Sequence, residues 1–195
     1  MTGGTLTERQ FSKAAQQFLE LSRRIDDGWE LITPEAETVF LTKRLKQTLN
    51  SSIPRDDDDF EELIEQDPSV VMTHSDGEGE EFYQFEYHVV YSESYQVPVL
   101  YFNAYRSDGT MLRLEQAWNG FRDLATESRE QLKQTLTQME HPVLFKPFLA
   151  LHPCKTAQVL GNVTGRGGNP IVTFISSYGP FVNLSLDLRY AGLVE

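Results

Sequence analysis

The chain has 195 residues, of which 39% are hydrophobic and 11% aromatic, with one cysteine and a formal net charge of −12. This composition excludes an intrinsically disordered chain and an internal disulfide, and no stretch approaches the roughly 20 apolar residues of a membrane span. Residues 56–81 hold six Asp and six Glu without any Lys or Arg, and the other 17 acids balance the 17 Lys and Arg, so we expect no binding to nucleic acid and no membrane insertion.

An amphipathic helix is predicted over residues 6–27. Apolar and small side chains recur in it at spacings of three and four: Phe11, Ala14, Ala15, Phe18, Leu21, Ser22 and Ile25. Thr7 is the candidate N-cap, and Gln10, three residues later, completes a capping box. Asp27 and Gly28 are predicted to end the helix. The pattern indicates a helix that packs on a sheet.

Four strands are predicted, at residues 29–32, 38–45, 82–91 and 97–105. An acidic insert at residues 50–79 separates the second strand from the third, and it is rich in Ser, Pro, Gly and Asp. Such a composition favours a solvated, flexible loop, and a docking motif for a basic partner is the alternative. We expect a single domain over residues 1–195 that carries this insert.

The third predicted strand alternates most clearly. Its aromatic face carries Tyr83, Phe85, Tyr87, Val89 and Tyr91. His88 falls on the more polar face, and we expect it to face solvent. The fourth strand is apolar on both sides and is predicted to be buried on both. Residues 92–96 are predicted to join these strands as a hairpin, and Asp108 and Gly109 to form the turn that follows.

Helical patterns return in the second half of the chain. One helix face is marked by Leu114, Trp118, Phe121 and Ala125, and a weaker amphipathic stretch continues through Leu132 and Leu136. His141, Pro142 and Pro147 predict an irregular approach to the cysteine. Residues 155–160 are predicted to form a short helix, followed by a loop at 165–168. Residues 171–178 favour a strand by their β-branched residues and allow a helix by their length.

Cys154, the only cysteine, lies in the sequence His-Pro-Cys-Lys-Thr at residues 152–156. A free thiol has a pKa of about 8.5, and a helix N-terminus, a lysine and a histidine each favour the thiolate. The residue before a proline is extended, so His152 and Cys154 should face the same space. The alternative is a buried, inert cysteine, which the apolar residues 149–151 support. The local residues alone leave both interpretations open.

This motif resembles the active-site motif of the autophagy E2-like enzymes, and specifically the autophagy-related protein ten family. Residues 85–102 and the Glu-His-Pro sequence at 140–142 carry the same resemblance. Further matches are Asp108-Gly109, the helix of Trp118, and Gly179-Pro180 ahead of residues 184–191. The resemblance covers residues 82–191 and, more loosely, the N-terminal helix. It does not extend to the acidic insert.

The resemblance implies an α/β (α+β) fold with an E2-like core, in which helices pack on an antiparallel four-stranded sheet, and it implies that residues 171–178 are helical. It implies a cytoplasmic enzyme, which fits a lone cysteine and the absence of a signal-peptide core in residues 1–10. Such an enzyme accepts the ubiquitin-like autophagy-related protein twelve from the E1-like autophagy-related protein seven. The enzyme holds this modifier as a thioester, here on Cys154, and transfers the modifier to a lysine of autophagy protein five.

The resemblance also bears on the groups around the cysteine. It implies no metal and no cofactor in this chain, because only the upstream E1-like enzyme uses ATP. Ubiquitin-carrying E2 enzymes supply an asparagine to the oxyanion from a His-Pro-Asn motif, but here Val143 follows His141 and Pro142. His152 is the first candidate for polar assistance, and Tyr95 at the hairpin end is the second. For His141 a turn-stabilising role is favoured over a catalytic one.

Three alternative functions are open, one from a related family and two from other classes of protein. The sister family, autophagy-related protein three, shares a His-Pro-Cys motif but loads a different modifier onto a lipid. A cysteine hydrolase also fits a cysteine near a histidine at a helix start, and it would turn over without ATP. An acidic adaptor, in which Cys154 is structural, would have no chemistry at all.

Overall fold

The described part of the chain forms an antiparallel sheet with helices on one face. The computed structural model describes residues 4–33, 39–49, 81–120, 136–153, 156–161 and 168–194, with residues 118–120 and 158–159 described by their backbone alone. The predicted insert at 50–79, Phe121, Ala125, Leu132 and most of the loop at 165–168 lie outside these ranges. In chain order the elements are α1 (Glu8–Ile25), β1 (Glu30–Ile32), β2 (Phe40–Thr48), β3 (Phe82–Ser92), β4 (Val97–Tyr105), α2 (Leu114–Gly120), β5 (Leu136–Glu140), β6 (Pro147–Leu151), α3 (Thr156–Gly161) and α4 (Pro170–Tyr178), followed by two 3-10 segments, Gly179–Val182 and Leu188–Leu193.

Within the described residues the sheet contains six strands in the order β1-β2-β3-β4-β6-β5, and every neighbouring pair is antiparallel. The α+β class and the antiparallel sheet are confirmed, but the prediction of four strands is wrong. The two missed strands form a hairpin at 136–151, where we predicted an amphipathic continuation through Leu136 and an irregular segment around His141 and Pro147. Leu136 instead pairs with Leu151. The chain therefore reaches the cysteine along a regular strand, β6.

The helices cover one face of the sheet and bury its aromatic side. The predicted capping box begins α1, since Thr7 Oγ1 accepts from Gln10 N and the Gln10 side chain accepts from Thr7 N. Buried side chains of α1 and α4 meet those of β3 and β4: Phe11, Phe18, Ile171, Phe174, Phe85, Tyr87, Leu100 and Phe102. The predicted aromatic face of β3 and the two-sided burial of β4 are both confirmed.

Residues 170–178 are helical. The resemblance implied this helix, whereas the β-branched residues favoured a strand. Asn169 explains the choice, because its Oδ1 accepts from Ile171 N at 3.0 Å and from Val172 N at 3.3 Å. Pro170 occupies the first helical turn, where its missing N–H costs nothing. Asn169 Nδ2 also donates to Ala14 O of α1 at 2.8 Å. Capping and contact with α1 therefore outweigh intrinsic propensity.

The opposite face of the sheet has its own buried cluster, made of Phe40, Val90, Val99, Tyr101, Phe148 and Ala150. His88 belongs to this face and is only 2% exposed, so the prediction that it faces solvent is wrong. The turn between β5 and β6 lies over this face, and His141 of that turn is within ring contact of His88, Phe40 and Phe148. The missed hairpin is the reason that the burial of His88 was missed.

Candidate active site

The strand β6 and the helix α3 hold the two ends of the segment that contains Cys154. Leu151 at the end of β6 is buried, Pro153 is buried, and Thr156 at the start of α3 is 3% exposed. Cys154 and Lys155 lie outside the described residues. The predicted short helix after the cysteine is present and ends at Gly161. Buried residues thus anchor the motif on both sides.

Tyr95 and His152 lie next to each other, although 57 positions separate them in the chain. The hydroxyl of Tyr95 is 3.5 Å from His152 Nε2, and the two rings meet edge to face with centroids 5.5 Å apart. Tyr95 lies in the turn between β3 and β4 and is 44% exposed. The structure therefore brings together the two polar residues that the sequence singled out as assistants of Cys154.

The turn that holds Tyr95 is itself well fixed. Gln96 N donates to Ser92 O at 2.7 Å, and Gln96 adopts a left-handed backbone with φ of 54°. Tyr95 N lies within hydrogen-bond reach of Ser92 Oγ, at 3.4 Å. The predicted hairpin over residues 92–96 is therefore confirmed. It presents the Tyr95 ring toward the residue that precedes Pro153.

A line of polar groups crosses the opposite face of the sheet, and the sequence did not predict it. His141 Nδ1 accepts from the backbone N–H groups of Val143 and Leu144, both at 3.2 Å. Its Nε2 lies 3.1 Å from His88 Nδ1, while His88 Nε2 lies 3.5 Å from Glu86 Oε1. The turn-stabilising role of His141 is thereby confirmed. The sequence signal that was available for this line is the alternation of Glu86, His88 and Val90, which places all three side chains on the same face of β3.

The ionisation of this line follows from burial and from its neighbours. Burial, and then the proximity of His88, lower the pKa of His141 to about 4. The hydrogen bond from His88, and then the contacts with Arg44, lower the pKa of Glu86 to about 2. Arg44 Nη2 lies 2.8 Å from Glu86 Oε1. At neutral pH the line therefore joins an arginine, a carboxylate and a neutral His141.

Across the ranges that the structure describes, His, Cys, Asp and Glu side chains form no group of three or more able to hold a metal ion. None of the helices described there combines the length and the apolar character that a membrane span requires.

Comparison with known proteins gives a consistent picture. The family model described as "Autophagocytosis associated protein, active-site domain" matches residues 10–189, a range that includes the His-Pro-Cys motif. The chain is 33% identical to the human ubiquitin-like-conjugating enzyme ATG10, over 94% of this chain and 91% of the human protein. It is 27% identical to the Arabidopsis thaliana protein of the same name, over 97% of this chain and 94% of that one. A shorter match of 38% identity covers 39% of this chain and 34% of the Dictyostelium discoideum protein of that name.

Proposed function

The chain belongs to the family of autophagocytosis associated proteins that share the active-site domain, and we propose that it is an E2-like enzyme that carries a ubiquitin-like protein as a thioester on Cys154. The observation that carries this proposal is the family match across residues 10–189, within which the only cysteine of the chain follows His152 and Pro153. The pairing of Tyr95 with His152 supports it, because this pair lies beside the chain segment that leads into Cys154.

The partners proposed for this enzyme are those of the autophagy-related protein ten family. The modifier is autophagy-related protein twelve, the E1-like donor is autophagy-related protein seven, and the acceptor is a lysine of autophagy protein five. Relatives from human and Arabidopsis thaliana that carry the same name, and that align over nearly the whole chain, support this choice over the lipid-conjugating sister family. We place the reaction in the cytoplasm, where a lone thiol stays reduced.

Loading of the enzyme is an exchange between two thioesters. The thiolate of Cys154 attacks the carbonyl carbon of the modifier's C-terminal residue on the E1-like enzyme. A new carbon–sulfur bond forms, and the E1 cysteine leaves as a thiolate. Since the thiolate is the nucleophile in such an exchange, the lysine and histidine near Cys154 in sequence favour this step. The chain needs no cofactor of its own for it.

Transfer to the acceptor forms an amide bond and releases Cys154. The lysine amine attacks the thioester carbonyl, the carbon–sulfur bond breaks, and one proton leaves the amine. A free lysine has a pKa of about 10.4, so a group in the site has to accept or share that proton. We assign this task to His152, which stands two positions before Cys154. Tyr95, with its hydroxyl 3.5 Å from His152 Nε2, positions that ring.

The test is a thiol-sensitive mass gain. The protein is incubated with the E1-like enzyme, ATP and autophagy-related protein twelve, and its mass is measured before and after a reducing thiol is added. We expect a one-to-one adduct that the thiol removes, no adduct with Cys154→Ala, and a thiol-resistant ester with Cys154→Ser. Because the chain has a single cysteine, an adduct that persists in Cys154→Ala would overturn the proposal.

Two further arms of the same experiment separate the alternatives. Addition of autophagy protein five should give a stable amide conjugate, whereas transfer to an aminophospholipid would indicate the sister family. Turnover of a modifier precursor without ATP and E1 would indicate a hydrolase. An unchanged cellular function of Cys154→Ser would indicate a non-enzymatic adaptor.

A further inference from the structure

The N-terminal arm, residues 4–7, lies between the two elements that flank the candidate active site. Leu6 N donates to Gln96 O at 2.7 Å, in the turn that also holds Tyr95. Leu6 O accepts from the hydroxyl of Tyr91 at 2.7 Å. The Leu6 side chain is 6% exposed and belongs to the main core. One end of the arm is thus bonded to the β3–β4 hairpin.

The other end of the arm is packed against α3, the helix that follows Cys154. Gly4 is buried and has a φ of +98°. A Cβ atom built on Gly4 would lie 1.7 Å from Ala157 O and 2.7 Å from Gly161 N. Both atoms belong to the backbone of α3, which cannot move aside as a flexible side chain would. Only glycine therefore allows the arm to lie this close to the helix.

A helix as short as α3 depends on its neighbours for its position. It has six residues, from Thr156 to Gly161, and isolated helices shorter than about 12 residues are marginal in water. Its buried side chains, Thr156 and Leu160, tie it to the core, and the arm closes over its backbone at Ala157. The arm is consequently a direct link between the helix after Cys154 and the turn that carries Tyr95.

We propose that the N-terminal arm is a positioning element of the active site, which holds the β3–β4 turn with Tyr95 in place relative to α3 for the transfer step. This inference rests on the proposed function. The arm acts through the two elements that it contacts, α3 and the β3–β4 turn. A displacement of about 1 Å in such a scaffold can slow a reaction by up to about 100-fold.

The chain supplies a matched pair of glycines for the test. Gly28 also has a positive φ, of +82°, but a Cβ built there meets nothing within 4 Å. Ala at either position carries a similar backbone strain of roughly 1 kcal/mol, while only Gly4→Ala collides with α3. We expect Gly4→Ala to slow single-turnover transfer from the preloaded thioester by at least about tenfold, and Gly28→Ala to stay within about twofold of the unmodified protein.

A double-mutant cycle shows whether the arm acts through Tyr95. Tyr95→Phe is combined with Gly4→Ala and, separately, with Gly28→Ala. If the arm positions Tyr95, the effects of Gly4→Ala and Tyr95→Phe on transfer are less than additive, whereas the effects of Gly28→Ala and Tyr95→Phe are additive. Additive effects of Gly4→Ala and Tyr95→Phe would overturn the proposal.

A second measurement does not depend on the proposed function. The alkylation rate of Cys154 by iodoacetamide reports its surroundings in the isolated protein, and we expect it to change by at least about threefold in Gly4→Ala but not in Gly28→Ala. If Gly4→Ala does not fold, removal of residues 1–4 breaks the same contact without a clash and should give the same changes. If the unmodified protein never loads a modifier, the proposed function fails while alkylation still tests the arm. Equal alkylation and transfer rates in Gly4→Ala and Gly28→Ala would refute the positioning role.

Discussion

His141 Nε2 lies 3.1 Å from His88 Nδ1 inside the second face of the sheet. Because His141 Nδ1 already accepts two backbone N–H groups, the ring proton of neutral His141 resides on Nε2 and is donated to His88. His88 then carries its own proton on Nε2, toward Glu86. One pair of rings thereby fixes two tautomers and ties the β5–β6 turn to the central strand β3. Protonation of His141 at Nδ1 would break the hydrogen bonds that this atom accepts from the N–H groups of Val143 and Leu144.

Replacement of His141 by Phe should destabilise the protein by about 2 kcal/mol. The ring volume is kept, but the buried Nδ1 atom of His88 loses its partner, which costs roughly 1–3 kcal/mol. The N–H groups of Val143 and Leu144 also lose their acceptor, at a smaller cost because these bonds are only partly buried. The control is His141→Asn, whose side-chain oxygen can accept from the N–H two residues later and so keeps part of the turn. Urea unfolding measures both variants. Equal stability of His141→Phe and the unmodified protein would contradict this account.

The stability of the fold should fall as the pH drops from 6.5 to 4.5. The pKa of His141 is about 4 in the folded protein against an ordinary value of 6.5. Between these two pH values the unfolded chain therefore binds a proton at His141 that the folded protein does not bind. The contribution of His141 is fully present above pH 6.5, is lost as the pH falls toward 4, and amounts to up to about 3 kcal/mol.

The measurement is the free energy of unfolding at several pH values in the unmodified protein and in His141→Asn. The variant should lose most of the slope between pH 6.5 and 4.5. Glu86, whose pKa is lowered from 4.5 to about 2, adds its own loss only below pH 4.5, so the two windows separate. An identical slope in both proteins would assign the pH dependence to other groups.

The sequence predicted those elements whose local pattern agrees with their environment. The alternating aromatic residues of β3 and the capping box of α1 are examples, since both signals are local and both are satisfied. Residues 136–140 were missed because Leu, Gln, Met and Glu are good helix formers at helical spacing, while pairing with Phe148 and Leu149 makes them a strand. Pairing with a distant strand cannot be recognised from the few residues of the segment itself.

The candidate site shows the same division. The motif of Cys154 and the choice of His152 and Tyr95 came from the sequence, but no spacing rule places residue 95 beside residue 152. The burial of His88 depends on a hairpin whose His141 lies 53 residues further along the chain. The role of Gly4 depends on a contact with Ala157. Such long-range contacts are visible only in the folded protein.

Asn169 should be among the most sensitive polar positions of the fold. Its side chain caps α4 and also donates to Ala14 O of α1, in a site where Asn169 itself is 4% exposed. Asn169→Ala should therefore lower the free energy of unfolding by about 2 kcal/mol, since a lost N-cap costs about 1 and a lost buried hydrogen bond about as much. Asn169→Asp keeps the acceptor that caps α4 but loses the donor to Ala14 O, so its free energy of unfolding should lie between those of the unmodified protein and Asn169→Ala. A melting temperature unchanged in Asn169→Ala would argue against this role.

Deletion of residues 56–79 should leave the fold intact. Thr48 of β2 pairs directly with Phe82 of β3, so the two ends to be joined are already adjacent and a short loop suffices. The closure entropy of a loop grows only slowly with its length, at about 0.6 kcal/mol per doubling. We expect the deletion variant to melt within a few degrees of the full chain, as measured by circular dichroism. A large drop in melting temperature would show that the segment stabilises the fold.

Tyr95 and His152 should affect transfer more than loading. Loading needs only the thiolate of Cys154, whereas transfer also needs a group that shares the proton of the incoming amine. We expect His152→Ala and Tyr95→Ala to slow transfer from the preloaded thioester by about 10- to 100-fold and to slow loading by less than about threefold. Quenched-flow measurements of each step, with an electrophoretic readout, separate the two effects.

Conservative variants separate chemistry from packing at the same two positions. Tyr95→Phe keeps the edge-to-face contact with His152 and removes only the hydroxyl, so a loss equal to that of Tyr95→Ala would assign the effect to the hydroxyl. His152→Gln keeps a hydrogen-bonding group but cannot accept a proton. If His152 accepts the proton of the amine, His152→Gln slows transfer as much as His152→Ala does. Equal slowing of loading and transfer in every variant would instead assign both residues to the structural support of the cysteine segment.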